Sequence, residues 1–421
     1  MLNLKVSVQQ LNNLTIKQST FQYSQFPHPL LATHYPILQF LNLLYICRMM
    51  PLHWQEVLFY AFCFITLIQL FYYLFYFSRL AFYKPCKKDS SLQHPVSVIV
   101  CARDEAANLA KNLPQILQQQ YKSTHEVIVV NDNSYDDSKY VLEYLAKPFK
   151  QLRAVELVQE AKLIPGKKFP LSMGIKEAKH EIVLLTDADC YPSSPNWVEK
   201  MQDGFYNGSE IVLGYGAYEK KPGFLNKLIR FETFHTALQY LSYALAGNPY
   251  MGVGRNLSYK KDLFFRNKGF SSHNHIPSGD DDLFINMVAN KHNTAIVIDK
   301  ETFTYSEPKT NWGDWIRQKS RHYSTGKYYK GRHKFLLGLY AFAQFIFYPL
   351  FITSLFFYDW RFVLGVFVLR FFVQLIIYYQ SMKKLDEKDL FWLLPFFDIW
   401  QIVYYIIFLP AVWRKAKSHW K

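Results

Sequence analysis

Four long apolar runs frame this chain and decide most of what it can become. Trp54 to Phe77, "WQEVLFYAFCFITLIQLFYYLFYF", carries a single charge and is long enough to span a bilayer. Phe335 to Tyr358 is a second run, and Phe362 to Tyr379 a third, broken only by Arg370. Leu390 to Val412 is a fourth, interrupted by Pro395, Asp398 and Pro410. Basic residues crowd the inner ends: Arg79, Lys84, Lys87 and Lys88 after the first run, and Arg317, Lys319, Arg321, Lys327, Lys330, Arg332 and Lys334 before the second. The positive-inside rule then puts residues 80–334 in the cytoplasm, with the spans in the cytoplasmic (inner) membrane. Lys383, Lys384 and Lys388 fall on the same side if the second and third runs form a hairpin. Four simple spans leave the basic tail "WRKAKSHWK" outside. The prolines and Asp398 favour a re-entrant or interfacial last segment, which returns the tail to the cytoplasm.

The formal charge of +15 admits nucleic acid, anionic lipid or acidic ligands. Its carriers cluster beside the apolar runs, and the aromatic residues, 18% of the chain, bunch inside them, so membrane is favoured and nucleic acid is rejected. Five scattered cysteines, with no CxxC pair, argue against a disulfide framework or a zinc site. Residues 1–48 are rich in Gln and Asn and lack a basic n-region before an apolar core, so they do not read as a signal peptide. Initiation at Met49 or Met50 would explain that extension. The expected organisation is therefore an extension over 1–48, a membrane helix over 49–79, a cytoplasmic domain over 80–334, and membrane segments with a basic tail over 335–421.

From Pro95 the texture changes to strands alternating with helical stretches: "PVSVIVCARDEAANLAKNLPQIL", "HEVIVVNDNSYDDSKYVLEYL" and "GKKFPLSMGIKEAKHEIVLLTDADC". That alternation predicts an α/β, parallel, doubly wound sheet with ligands at the carboxyl ends of its strands. Arg103 to Glu105, Asp132, and the pair Asp187 and Asp189 all fall there. No GxGxxG follows the first strand and no Walker lysine loop occurs, so dinucleotide and P-loop sites find little support. Asp132 suits a nucleobase N–H or ribose hydroxyls. Asp187 and Asp189 suit a hard divalent cation on a diphosphate, although a lone DxD is often only a turn.

Two later stretches carry further chemistry. In "SGDDDLFIN", Asp280, Asp281 and Asp282 repel one another, which raises a pKa toward that of a general base; the plain alternative is an acidic helix start. In "WIRQKSRHYS", Gln318 and Arg321 lie three apart on one helix face and can grip a diphosphate, or simply belong to a basic helix near the membrane. Pro222 to Ala246 reads as an amphipathic helix on the membrane face, with a buried core helix as the alternative.

The ordered set resembles the family 2 glycosyltransferases of A-type fold, in the membrane-anchored branch with ceramide glucosyltransferases and hyaluronan and cellulose synthases. The likeness covers roughly Pro95 to Gly331 and the flanking spans. "SVIVCARDEAANL" is similar to the family's opening strand and loop, with Cys101 and Asp104 where Pro and Asn are usual. "GVGRNLSYKK" resembles the acceptor-side loop, "GDDDLFIN" the GDD-type element, and "QKSRH" the QxxRW position, with His322 in place of Trp.

What this resemblance implies is a mixed doubly wound sheet between N- and C-terminal transmembrane helices, and inverting transfer of a sugar from a nucleotide diphosphate sugar, most plausibly a UDP-sugar. Ala102, Arg103, Glu105, Asp132, Lys167, Lys168 and Asp187 would hold the nucleotide. Asp189, with Asp187, would ligate Mg²⁺ or Mn²⁺. Asp281 would be the base, and Asp280, Gln318, Arg321 and His322 would line the acceptor and leaving-group side. His322 weakens a processive reading, and a lipid or lipid-linked glycan is the expected acceptor. A polysaccharide synthase is the runner-up, ahead of a membrane-tethered nucleotidyltransferase or a silent subunit.

Overall fold

The central strands owe their place to continuous apolar sequence. β1 (Val96–Ala102) is buried at every residue, and β2 (His125–Asp132) and β4 (Ile182–Asp187) are buried almost throughout, as expected for parallel strands covered on both faces. β3 (Leu152–Leu157) alternates in burial and forms one edge. The computed structural model describes residues 53–85, 93–158, 166–206 and 208–413. The expectations for residues 1–48, Met49, Met50, Lys87, Lys88 and the tail beyond Trp413 lie outside these residues.

A seven-stranded sheet runs in the order β3-β2-β1-β4-β8-β6-β9, completed by β6 (Ile211–Leu213), β8 (Leu257–Lys260) and β9 (Thr294–Ile296). β1 is parallel to both β2 and β4, whereas β8 is antiparallel to β4 and to β6, so the sheet is mixed. A smaller sheet joins β5 (Cys190–Pro192), β10 (Thr304–Ser306) and β7 (Gly216–Tyr218). The chain winds outward from β1 to β3 and then returns to β4 on the other side of β1. That reversal opens a crevice at the carboxyl ends of β1 and β4, where doubly wound sheets bind ligands.

Among the described residues, twelve helices are needed to follow the chain: α1 (Trp54–Ala81), α2 (Ala106–Leu117), α3 (Ser138–Ala146), α4 (Lys168–Glu177), α5 (Trp197–Gln202), α6 (Phe224–Leu245), α7 (Lys261–Arg266), α8 (Asp282–Val288), α9 (Trp312–Tyr323), α10 (Gly331–Phe357), α11 (Trp360–Lys384) and α12 (Lys388–Val412). Alternation within β1 sorts them into layers. Val96, Val98 and Val100 pack with Leu109, Leu113, Leu142, Trp197 and Met201 of α2, α3 and α5. Ile99 and Cys101 face the other way, in a core shared with Leu171 and Ile175 of α4, with α6 and with residues of α1, α10, α11 and α12. Each such side chain contributes about 1.5–3 kcal/mol on burial.

α6 corrects an expectation. It does not lie on a membrane surface; it is buried along most of its length between the sheet and the apolar helices, with Phe231 stacked on Phe397 at 4.0 Å. Charges that suggest a polar face are instead paired internally. Arg230 donates from Nε to Glu387 Oε2 at 2.9 Å, and Glu232 pairs with Lys319 of α9.

α1, α10, α11 and α12 are each long and apolar enough to cross a membrane; α12 is α-helical over Leu394–Phe408 and tightens to 3-10 turns at Lys388–Leu393 and Leu409–Val412. Asp398, which sets that run apart in sequence, is paired with Arg370 of α11 at 2.5 Å, both side chains fully enclosed. Arg370 also donates to Gln69, Gln374, Tyr73 and Gln344, and Tyr348 and Gln374 donate to Asp398. The pair thus ties all four helices together.

Candidate active site

The loop after β1 is laced to the loop after β2. Asp104 N donates to Ser134 Oγ at 2.9 Å, and Asp104 Oδ1 accepts from Tyr135 N at 2.7 Å. Glu105 N donates to Ser138 Oγ, and Ala106 N to Asp136 Oδ2. Asp104 and Asn133 adopt left-handed backbone, φ 51° and 52°, which Asp and Asn tolerate best among residues with a Cβ. Asp104, where the resembling family has Asn, therefore meets the same conformational demand. The lacing fixes Ala102, Arg103 and Glu105 beside Asp132, which is fully buried at the end of β2.

Cys101 marks where these charges converge. Its thiol is pushed up to about 12 by burial; Lys167 works against this, and Asp280, Asp187 and Asp132 add to it. Register places Cys101 directly beside Asp187. Lys167 pairs with Asp187, whose carboxyl is held low by Lys167, Arg255 and Arg321 against the effect of burial. Asp189 behaves in the opposite way: burial and then Asp187 raise it. Ligand atoms of Asp187, Asp189 and Cys190 lie within 4.8 Å of one another. Two carboxylates this close, one of them resisting ionisation, fit a hard divalent cation that prefers oxygen.

Asp281 sits at the start of α8 and serves as its N-cap. Its carboxylate accepts from Asp282 N and from Gly254 N, both at 2.7 Å. Gly254 permits this approach, because a Cβ there would stand 3.3 Å from Asp281 Oδ2. Burial, then Asp280 and Asp282, push the Asp281 carboxyl up to about 7. The helix-start reading is therefore right as geometry and compatible with a base, since each carboxylate oxygen keeps a further lone pair. Asp282 is buried and accepts from Thr325 Oγ1 at 2.5 Å and Tyr329 OH at 2.7 Å, which joins the acidic turn to the segment after α9.

On α9, Gln318 Nε2 is 3.4 Å from Tyr218 OH. Arg321 Nε is buried with no hydrogen-bond partner among the described residues, and its charge acts on Asp187. His322 is exposed near the end of α9, next to Arg321 and within reach of the charges of Lys319 and Arg255.

The family described as "Glycosyl transferase family group 2" matches residues 182–413, more than half of the chain, and "Glycosyl transferase family 2" matches residues 97–266. The chain belongs to this glycosyltransferase family.

Beta-monoglucosyldiacylglycerol synthase of Nostoc sp. is 30% identical to this glycosyltransferase over 100 residues, 24% of this chain and 21% of that protein. Glycosyltransferase AglE of Haloferax volcanii is 30% identical over 106 residues, 25% of this chain and 33% of that protein. The alignments thus span a fifth to a third of these relatives' lengths. In fold, the chain is similar to the mannosyltransferase PcManGT from Pyrobaculum calidifontis, solved with GDP-Man and Mn²⁺. The TM-score is 0.50 at 17% identity, over 80% of this chain and 99% of that one.

Two outcomes depart from the sequence reading. Lys168, expected at the nucleotide, is buried with its ammonium taken up by the carbonyls of His273, Ile276 and Ser278. Arg255, read only as part of an acceptor-side loop, lies beside the Asp187 and Asp189 carboxyls. Its guanidinium donates to Gly216 O and Ser306 Oγ, lies 4.4 Å over the Tyr218 ring, and acts on both Asp189 and Asp187. The sequence signal was an arginine directly after Gly254, in a loop with two glycines.

Proposed function

We propose that this glycosyltransferase moves a sugar, with inversion, from a nucleotide diphosphate sugar, UDP-linked by preference, to a lipid or lipid-linked glycan acceptor at the cytoplasmic face of the membrane. The carrying observation is the contrast between two carboxyl sets at one crevice: Asp187 and Asp189 beside Lys167, Arg255 and Arg321, and Asp281 with its carboxyl near 7. The Nostoc relative, a glucosyldiacylglycerol synthase by name, supports a lipid acceptor, and the Mn²⁺ bound with GDP-Man in PcManGT supports a divalent ion.

Asp132 and Glu105, with Ala102 and Arg103, hold the nucleoside, and Lys167 meets the phosphates. Asp189 and Asp187 hold Mg²⁺ or Mn²⁺. When bound, the ion supplies positive charge to the diphosphate. Arg321 adds positive charge on the leaving-group side, and Gln318, three residues before it and hydrogen-bonded to Tyr218, shares its helix face. Asp281 takes the proton of the acceptor hydroxyl. The acceptor oxygen bonds to the anomeric carbon as the bond to the diphosphate oxygen breaks, and the nucleoside diphosphate leaves with that electron pair. Asp280 and His322 line the acceptor path.

The test is nucleotide release by purified full-length protein in nanodiscs, with a panel of UDP-sugars, Mn²⁺ or Mg²⁺, and lipid extract. UDP release that requires both metal and lipid is expected. A growing water-soluble product would instead identify a polysaccharide synthase, and no turnover with any donor by folded protein would contradict the reading.

A further inference from the structure

The adjacent lysines at the start of α4 divide between two tasks. Lys167 reaches Asp187, whereas Lys168 reaches in another direction and spends all three ammonium protons on one loop: His273 O at 2.8 Å, Ile276 O at 2.5 Å and Ser278 O at 2.8 Å. That loop leads through Gly279 directly into Asp280 and Asp281. We propose that Lys168 is a positioning residue that fixes Asp281 by tying down the segment from His273 to Ser278; this rests on the reading of Asp281 as the base.

Three observations support the assignment beyond the hydrogen bonds. Lys168 is 1% exposed, so its ammonium cannot be exchanging between the loop and solvent. The turn before it is pressed onto the same loop: Gly166 has φ +80°, and a Cβ there would lie 2.1 Å from Pro277 O, so this backbone contact exists only with glycine. Beyond the loop the acidic turn is anchored again, by Gly254 N on Asp281 and by Thr325 and Tyr329 on Asp282. Asp281 is thus held from upstream, from the side and from downstream, and Lys168 is the upstream anchor.

The charge on Lys168 has a second consequence. It is hydrogen-bonded to neutral carbonyls, so no contacting carboxylate cancels it. Burial opposes the ammonium, and Asp280, Asp282 and Asp281 favour it. The interaction is mutual: a positive Lys168 favours ionised Asp281. The groups acting on Asp281 are Asp280 and Asp282 on its own turn, Lys168 from α4, Tyr259 from β8, and Tyr329 after α9.

The test uses full-length Lys168→Met protein in nanodiscs, with Lys167→Met alongside. Hydrogen exchange should accelerate in residues 271–279 of Lys168→Met and stay as in wild type there for Lys167→Met. Nucleotide binding should persist in Lys168→Met, with donor KM moved by no more than about twofold and kcat lowered between about tenfold and a hundredfold. The acidic limb of its pH profile should move up by on the order of one unit. If Lys168→Met does not fold, Lys168→Gln, which keeps a donor without the charge, should show the same pH displacement with less loosening. Unchanged exchange over 271–279 overturns the proposal. So does loss of nucleotide binding with the segment still protected, which would make Lys168 a donor-site residue. If wild type transfers no sugar, the function reading fails separately, and exchange and binding still decide the role of Lys168.

Discussion

Two groups of charge in this protein, one enclosed between helices and one partly exposed past the end of β4, are built to opposite ends. Around Arg370, Asp398 faces the guanidinium at 2.5 Å, and Gln69, Gln344, Gln374, Tyr73 and Tyr348 complete the hydrogen bonds. Around Asp189, the carboxyl is raised by burial and by Asp187, and Arg321 keeps a buried Nε without a partner among the described residues. Buried ions need compensation, and where the protein supplies all of it the cluster is structural. Where the compensation falls short of the charge assembled, a ligand is what completes it. The comparison separates a lock between membrane helices from the proposed reaction site within one chain.

The sharpest way to press the difference is at Asp281. Asp281→Asn keeps the N-cap geometry and removes the proposed base, so turnover should fall by about 10²–10⁴-fold with nucleotide affinity retained; parallel kinetics and binding titrations read both. On the structural side, Arg370→Leu leaves Asp398 buried and uncompensated, at a cost of about 3–5 kcal/mol in stability. Unfolding in detergent should register that loss, and Arg370→Met with Asp398→Leu should recover most of it. Kinetic constants per folded molecule should not change in either variant; if they do, the lock and the site are coupled and the comparison breaks.

Much of this was legible beforehand because strand ends and long apolar runs are local in sequence. Asp132 and Asp187 end strands whose apolar residues identify them, Asp189 follows in the turn after β4, and the crevice between β1 and β4 follows from the βα alternation. What escaped depends on direction. Lys167 and Lys168 are neighbours with the same chemistry, yet only the fold sends one to Asp187 and the other to a loop about 105 residues on. The polar residues of α6 seemed to mark a surface because their partners, Glu387 and Lys319, lie far along the chain. Asp398 reads in sequence as a charge without a partner for the same reason, since its counter-ion sits on another helix.

A smaller effect comes from pH. Because the Asp281 carboxyl is raised to about 7 and must be ionised to accept a proton, the rate should climb through that region and level off above it. Below it, the fall should approach about tenfold per unit, read from kcat/KM over pH 5–9 at saturating metal. The least change is expected from His322→Trp, which restores the family's residue at an open position and should shift acceptor preference by only a few-fold (about 1 kcal/mol or less).

The most direct measurement is a Mn²⁺ titration followed by electron paramagnetic resonance, with and without UDP, on wild type, Asp189→Asn and the Arg370→Met with Asp398→Leu double variant. One Mn²⁺ site that tightens with UDP, is lost in Asp189→Asn and survives in the double variant is the predicted result. Mn²⁺ binding that ignores both UDP and Asp189 would contradict it, and the carboxyl pair would then be another structural cluster.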